Sequence, residues 1–175
     1  AYFERDLSNF PFENGIMLST GGAASGGNAI NTNPLHDGET TWGTDPDLEA
    51  ALGITNTLNA TTIEFDFVSV SNLIQFNYLL ASEEYHANFP CEYSDGFAFL
   101  IREAGTSNPY QNIALIPGTN IPVNTNTIHD EIVGFCPAEN NAYFDGYSMG
   151  DTNYNGRTTV LTATANIQPN VQYHI

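Results

Sequence analysis

A chain of 175 residues with 41% apolar side chains is long enough to bury a core, too apolar to stay disordered, and of a size that suits one domain. Its charge is one-sided: 20 acids face three arginines (Arg5, Arg102, Arg157) and no lysine, for a net charge of −17 at pH 7. Such a surface repels nucleic-acid phosphates and anionic lipid, and it concentrates hard cations such as Ca²⁺ that prefer carboxylate and carbonyl oxygen.

Polar surface must come largely from uncharged side chains, among them 21 asparagines. No apolar run approaches the ~18 residues of a membrane-spanning helix, so no direct membrane insertion is expected. The chain opens at AYFERD and stops at VQYHI, in what reads as mid-strand, which suggests a fragment of a longer secreted protein. Negative charge can also serve solubility alone.

Taken in chain order, GIMLST (15–20) reads as a strand. TGGAASGGN (20–28) reads as a flexible loop, because a phosphate cradle needs a following helix, often with lysine, and neither is present. TNPLHDGET (32–40) carries turn residues. DPDLEAALG (45–53) predicts the one helix, with Asp45 or Asp47 as cap, acids in the first turn and Gly53 as the stop. TTIEFDFVSV (61–70) alternates, with Ile63, Phe65 and Phe67 on one face and Glu64 and Asp66 on the other. NLIQFNYLLAS (72–82) does the same, with Ile74, Phe76, Tyr78 and Leu80 together. Further strands are expected at GFAFLIRE (96–103), NIALIP (112–117), RTTVLTATANI (157–167) and VQYHI (171–175). The stretch 118–155 is irregular and rich in Asn, Gly and Pro, so it is either functional or pinned. Many short strands with one helix predict an all-β fold, an antiparallel β-sandwich of jelly-roll or lectin-like type with long loops, spanning 1–175 as a single domain.

Chemistry-bearing residues concentrate in ASEEYHANFPCEYSDGFAFLI (81–101). Glu83 and Glu84 stand where one strand ends and Asp95 where the next begins. Brought together without a basic partner, one of these carboxylates must take up a proton unless a cation intervenes. Ca²⁺, with six to eight oxygen ligands, suits loop carboxylates mixed with backbone carbonyls. The plainer alternative is a solvated acidic rim. Asp45 and Asp47 are second-tier candidates for the same ion.

DTNYNG (151–156) matches the first half of a calcium-loop pattern, but Thr162 stands where the bidentate glutamate belongs. It reads better as a hairpin turn with Asn155-Gly156 supplying positive φ. Glu64 and Asp66 resemble a glycosidase carboxylate pair, although polar residues on an outer strand face explain them as well. Tyr85, Phe89 and Tyr93 beside the acidic loop suit either a sugar or peptide pocket or ordinary packing. No serine- or cysteine-based catalytic arrangement is marked. Cys91 and Cys136, in a lysine-free acidic chain, read as a disulfide, and the four histidines have no zinc-site spacing. A bridge over that span would stabilise by ~4 kcal/mol through chain entropy.

GIMLSTG (15–21), ASEEY (81–85), SDGFAFLI (94–101), PYQNIALIPGTNIPVN (109–124), NGRTTVLTA (155–163) and YHI (173–175) follow one another as in the choice-of-anchor L domain family, which the chain resembles over roughly 15–175. The resemblance implies a large secreted or surface-attached bacterial protein, adhesin-like, whose flanking domains would be its neighbours. It further implies a sandwich that binds an extracellular carbohydrate or peptide ligand in a calcium-dependent way. Family members continue beyond the tyrosine–histidine strand, so a closing strand and further acidic ligands are expected to be missing here. The two cysteines fit a subset of the family. The expectation is thus a calcium-stabilised, non-catalytic adhesion module held by Glu83, Glu84 and Asp95. The alternatives are a glycoside-active enzyme using Glu64, Asp66 or Glu83, and a purely structural spacer in a surface stalk.

Overall fold

The computed structural model describes residues 1–27 and 42–175. The turn expected at 32–40 and His36 lie outside them. Among the described residues the strands are β1 (Tyr2–Glu4), β2 (Asn14–Ile16), β3 (Asp66–Val68), β4 (Leu73–Tyr78), β5 (Ala81–Ser82), β6 (Leu100–Glu103), β7 (Gln111–Asn112), β8 (Phe144–Tyr147), β9 (Gly156–Thr158), β10 (Leu161–Asn166) and β11 (Gln172–His174). Two helices accompany them, α1 (Pro46–Leu52) and the single turn α2 (Phe89–Glu92). The fold is all-β and sandwich-like, as the alternation predicts.

The longest ladder joins β4 to β10, antiparallel, with Tyr78 opposite Leu161, Phe76 opposite Ala163 and Ile74 opposite Ala165. Large side chains therefore face small ones along the inward side, which lets the layer pack without voids. On the outward side Thr162 donates to Asn77 at 2.9 Å. The ladder bends but does not stop. The Thr158 amide donates to the Leu80 carbonyl, and β5 then pairs with β9. Residues 73–82 thus run against 156–166 almost throughout, and β8 adds a third strand on β9.

The second layer is the sheet β3-β11-β6-β7. Ahead of β6 the chain is extended, and Phe97, Phe99 and Ile101 alternate inward. The Phe99 ring stacks on Phe76 with centroids 5.6 Å apart, and the Phe97 and Phe99 rings lie 5.2 and 5.1 Å from Tyr78. Such aromatic contacts add to area burial and join the two layers. Phe67 of β3 stacks on Tyr173 of β11.

The helix at 46–52 forms as its caps predict. The Asp45 carboxylate accepts from the Leu48 amide at 2.8 Å, and Gly53, at φ 67°, ends it. Its Leu48 and Leu52 side chains reach Gly96.

Several expectations require correction. The run 61–70 alternates, but β3 covers only 66–68, extended by reciprocal backbone bonds between Phe65 and Ile175, and Ile63 and Phe65 remain 48% and 45% exposed. The 20–28 loop is held over its described part: the Asn153 amide donates to the Gly26 carbonyl, and turns close at Ser25 and Gly27. Gly156 does not supply positive φ. It lies buried in β9, and the hairpin joining β8 to β9 gets its left-handed residues from Ser148 (φ 44°) and Gly150 (φ 85°). What Gly156 supplies is space, since a Cβ there would stand 2.6 Å from Cβ of Tyr85.

Replacing Gly156 with alanine should therefore force the buried Tyr85 off its position and destabilise by about 1–3 kcal/mol. Thermal melts of the variant should show a loss of several degrees, and an unchanged melt would mean that the strand and Tyr85 separate freely.

Candidate functional site

Three loops converge at the end of the sandwich where β5 stops and β9 begins. The first, 82–95, leaves β5 with Ser82 buried at 2% exposure. The Ser82 hydroxyl donates to Asp95 and accepts from the Glu84 amide, so it ties both ends of the loop together. Tyr85 turns inward, and its phenol donates to the Ile128 carbonyl at 3.0 Å. Ala87 then takes φ 50°, a strained value for a residue with a side chain, and α2 follows with Pro90 in its first turn. The second loop, 129–139, is closed by reciprocal backbone bonds between His129 and Glu139 and between Ile132 and Cys136. The third is the hairpin 148–155, closed by the Ser148 amide on the Asn155 carbonyl.

Cross-links fix these loops to one another. Cys91 and Cys136 form the expected disulfide, with Cα atoms 5.8 Å apart. The Asn155 side-chain amide donates to the Glu83 carbonyl at 2.8 Å. Asn126 and Thr125 bond the Pro90 and Tyr93 carbonyls. The calcium-loop-like residues of 151–155 are consumed in such work. Asp151 binds Arg157 at 2.7 Å, and Asn153 holds Ser25 and Gly26. Arg157 itself is buried at 4% exposure between Asp145 and Asp151, and so is not a counter-charge for the acidic loop.

Of the three acids expected to meet here, Asp95 and Glu83 both act on Glu84. Burial first, then the charges of Asp95 and Glu83, hold the Glu84 carboxyl above its ordinary range. The Glu84 Oε2 is buried without a hydrogen-bond partner. Among the described residues, however, no three Asp, Glu, His or Cys side chains form a ready metal-ligand set. Asp45 and Asp47 belong elsewhere. Asp45 is spent on the α1 cap and on the Thr62 hydroxyl. Tyr110 is raised first by burial, is lowered by Arg102 lying 4.1 Å over its ring, and is raised again by Asp47, Glu64 and Asp45. These acids are therefore near enough to Tyr110, which precedes β7 of the four-stranded sheet, for their charge to act on it. Asp66 there accepts from His174 at 2.7 Å and from Gln172 at 3.0 Å, with Glu64 3.9 Å from the same imidazole.

Between the three loops lies a cleft of about 430 Å³. His86 and Ala87 wall it on one side, residues 131–133 on a second, and Tyr147 and Ser148 on a third, with Tyr85 and Asn155 also lining it. Tyr147 is 46% exposed and packs edge-on against Phe144 at 4.7 Å. Val133 is 83% exposed. Sequence reasoning named Tyr85 here but missed Glu131, Val133 and Tyr147. The only signal pointing to them was the irregularity of 118–155 together with Cys136 at its middle.

The family model for the choice-of-anchor L domain matches residues 1–175. The chain belongs to the choice-of-anchor L domain family. Domains of this family occur in bacterial surface or secreted proteins, which makes the chain a surface-associated module. Comparison with curated proteins and with solved structures gave no match.

The raised Glu84 carboxyl has a consequence for stability. The folded chain holds that proton more tightly than the unfolded one, so stability falls as pH climbs from 4.5 through the folded value. With chelator present, Glu84→Gln should melt above the wild type near pH 7 and match it at about pH 4. A glutamine variant that melts lower near neutrality in chelator would overturn this account of the carboxyl.

Proposed function

We propose that the domain is a non-catalytic ligand-binding module of an exported bacterial surface protein, with its binding end at the three converging loops. One observation carries this reading: a cleft of ligand size whose walls are fixed to each other by a disulfide, an amide–carbonyl bond and a buried tyrosine. Rigid walls bind without the ordering cost that mobile loops incur. Strained backbone at Ala87 and Ser148, both lining the cleft, supports a binding role for the same place.

The proposal includes Ca²⁺ as counter-charge to the acidic loop. The orphaned Glu84 oxygen and the like charge of Asp95 and Glu83 acting on that carboxyl support it. With no three-side-chain ligand set among the described residues, an ion would complete its shell from backbone carbonyls and water, as calcium readily does. When bound, it would neutralise the carboxylates and stiffen the loop that walls the cleft.

Calcium at a hundredfold excess over its dissociation constant should stabilise by about 2.7 kcal/mol, roughly 5–10 °C in melting temperature. Chelator should remove that gain, and Glu84→Gln should abolish the difference between the two conditions. Identical melts with calcium and with chelator would remove the ion from the proposal. Incubation with a polysaccharide panel should yield no new reducing ends; their release by the pure domain would replace the binding reading with a hydrolytic one.

A further inference from the structure

The chemistry of the cleft selects among ligands. Glu131 lines it and, among the described residues, has no ion-pair partner. Asp130 lies beside it in sequence, close enough that its charge acts on the Tyr147 phenol. The three arginines are already engaged: Arg5 with Glu13, Arg102 on the Tyr110 ring, and Arg157 with Asp145 and Asp151. No arginine or lysine is left to answer Glu131, the His86 imidazole shares the cleft with it, and the whole chain carries −17. The field over the cleft mouth therefore repels anions and draws in cations.

The walls add specificity to that attraction. The Tyr147 ring is half exposed and braced by Phe144, so it presents a fixed aromatic surface to the cleft. Aromatic faces attract ammonium and guanidinium groups through the ring quadrupole. Val133 and Ile132, exposed and half-buried respectively, offer an apolar strip beside it. A long side chain with a methylene stem and a cationic tip matches this sequence of surfaces: stem on the strip, tip over the ring and toward the carboxylate. A volume of about 430 Å³ suits one or two such side chains rather than a folded partner.

We propose that the cleft receives a lysine or arginine side chain presented by an extended segment of a partner protein. This rests on the binding-module reading and narrows it to a basic peptide.

The test uses the whole domain in calcium and three short acetylated, amidated peptides of glycine and serine carrying one central arginine, lysine or citrulline. Titration followed by NMR should show saturable binding of the arginine and lysine peptides with shifts around 131–133 and 147. The neutral citrulline peptide should bind about tenfold more weakly, the loss of one charge-assisted contact. Glu131→Gln and Tyr147→Leu should each weaken the arginine peptide several-fold, while Tyr147→Phe, which keeps the ring, should retain it. Glu103→Gln, an equal loss of charge on β6, should change nothing. If Glu103→Gln weakens binding as much as Glu131→Gln, the attraction is diffuse and the proposal fails. If a neutral sugar binds in a Tyr147-dependent way and arginine binds no better than citrulline, the cationic ligand is wrong while the binding module stands. If neither the peptides nor a glycan array bind, both fall.

Discussion

The pairing of residues 73–82 with 156–166 is the constraint on which the rest depends. It sets large against small on the inward face, Tyr78 with Leu161 and Phe76 with Ala163, and so fixes where the second layer can settle. Its far end delivers Ser82 and Gly156 side by side. From that point Tyr85 can pack against the bare backbone of Gly156, and Asn155 can reach the Glu83 carbonyl. A one-residue slip would send Tyr85 against Arg157 and turn the inward residues outward. The core and the loop cluster are in this sense one register decision.

Scarce positive charge organises the remainder. With three arginines, the fold spends one inside, where two aspartates flank it, and one on a tyrosine ring at the outer sheet. The acids sort accordingly. Asp145 and Asp151 are neutralised, and Asp66 has His174 and Gln172. Glu84 is left to share burial and like charge with Glu83 and Asp95. Among the described residues, Glu84 is thus one place where burial and like charge carry an unanswered electrostatic cost.

Much of this was legible from local chemistry. Helix α1 follows from Asp45, Pro46 and Gly53 because caps act over four residues. The strands at 73–78 and 161–166 follow from strict alternation. Glu83 and Asp95 come near Glu84 through the Ser82 hydroxyl, which holds Asp95 and the Glu84 amide, and not through adjacent strands, since β5 and β6 lie in different sheets. Features set by distant contacts were not legible. Nothing near Gly156 reveals that Tyr85 lies against it, so its asparagine neighbour suggested a turn instead. Asp45 and Asp47 look like loop ligands until α1 is packed beside the Tyr110 sheet. β8 hides in an irregular stretch because its residues, Phe-Asp-Gly-Tyr, alternate for too short a run. The cleft residues come from three segments, and their meeting depends on the disulfide and on the Asn155–Glu83 and Tyr85–Ile128 bonds rather than on any periodicity.

The bridge from Cys91 to Cys136 has a mechanical side as well. It encloses β6 and β7, the strands that connect the outer layer to the aromatic core. A chain drawn out from residues 1 and 175 would pay out length only from outside that covalent ring, so roughly 150 Å of slack stays locked away. A tether built this way yields less under load while oxidised than its residue number suggests, and regains its full reach once reduced.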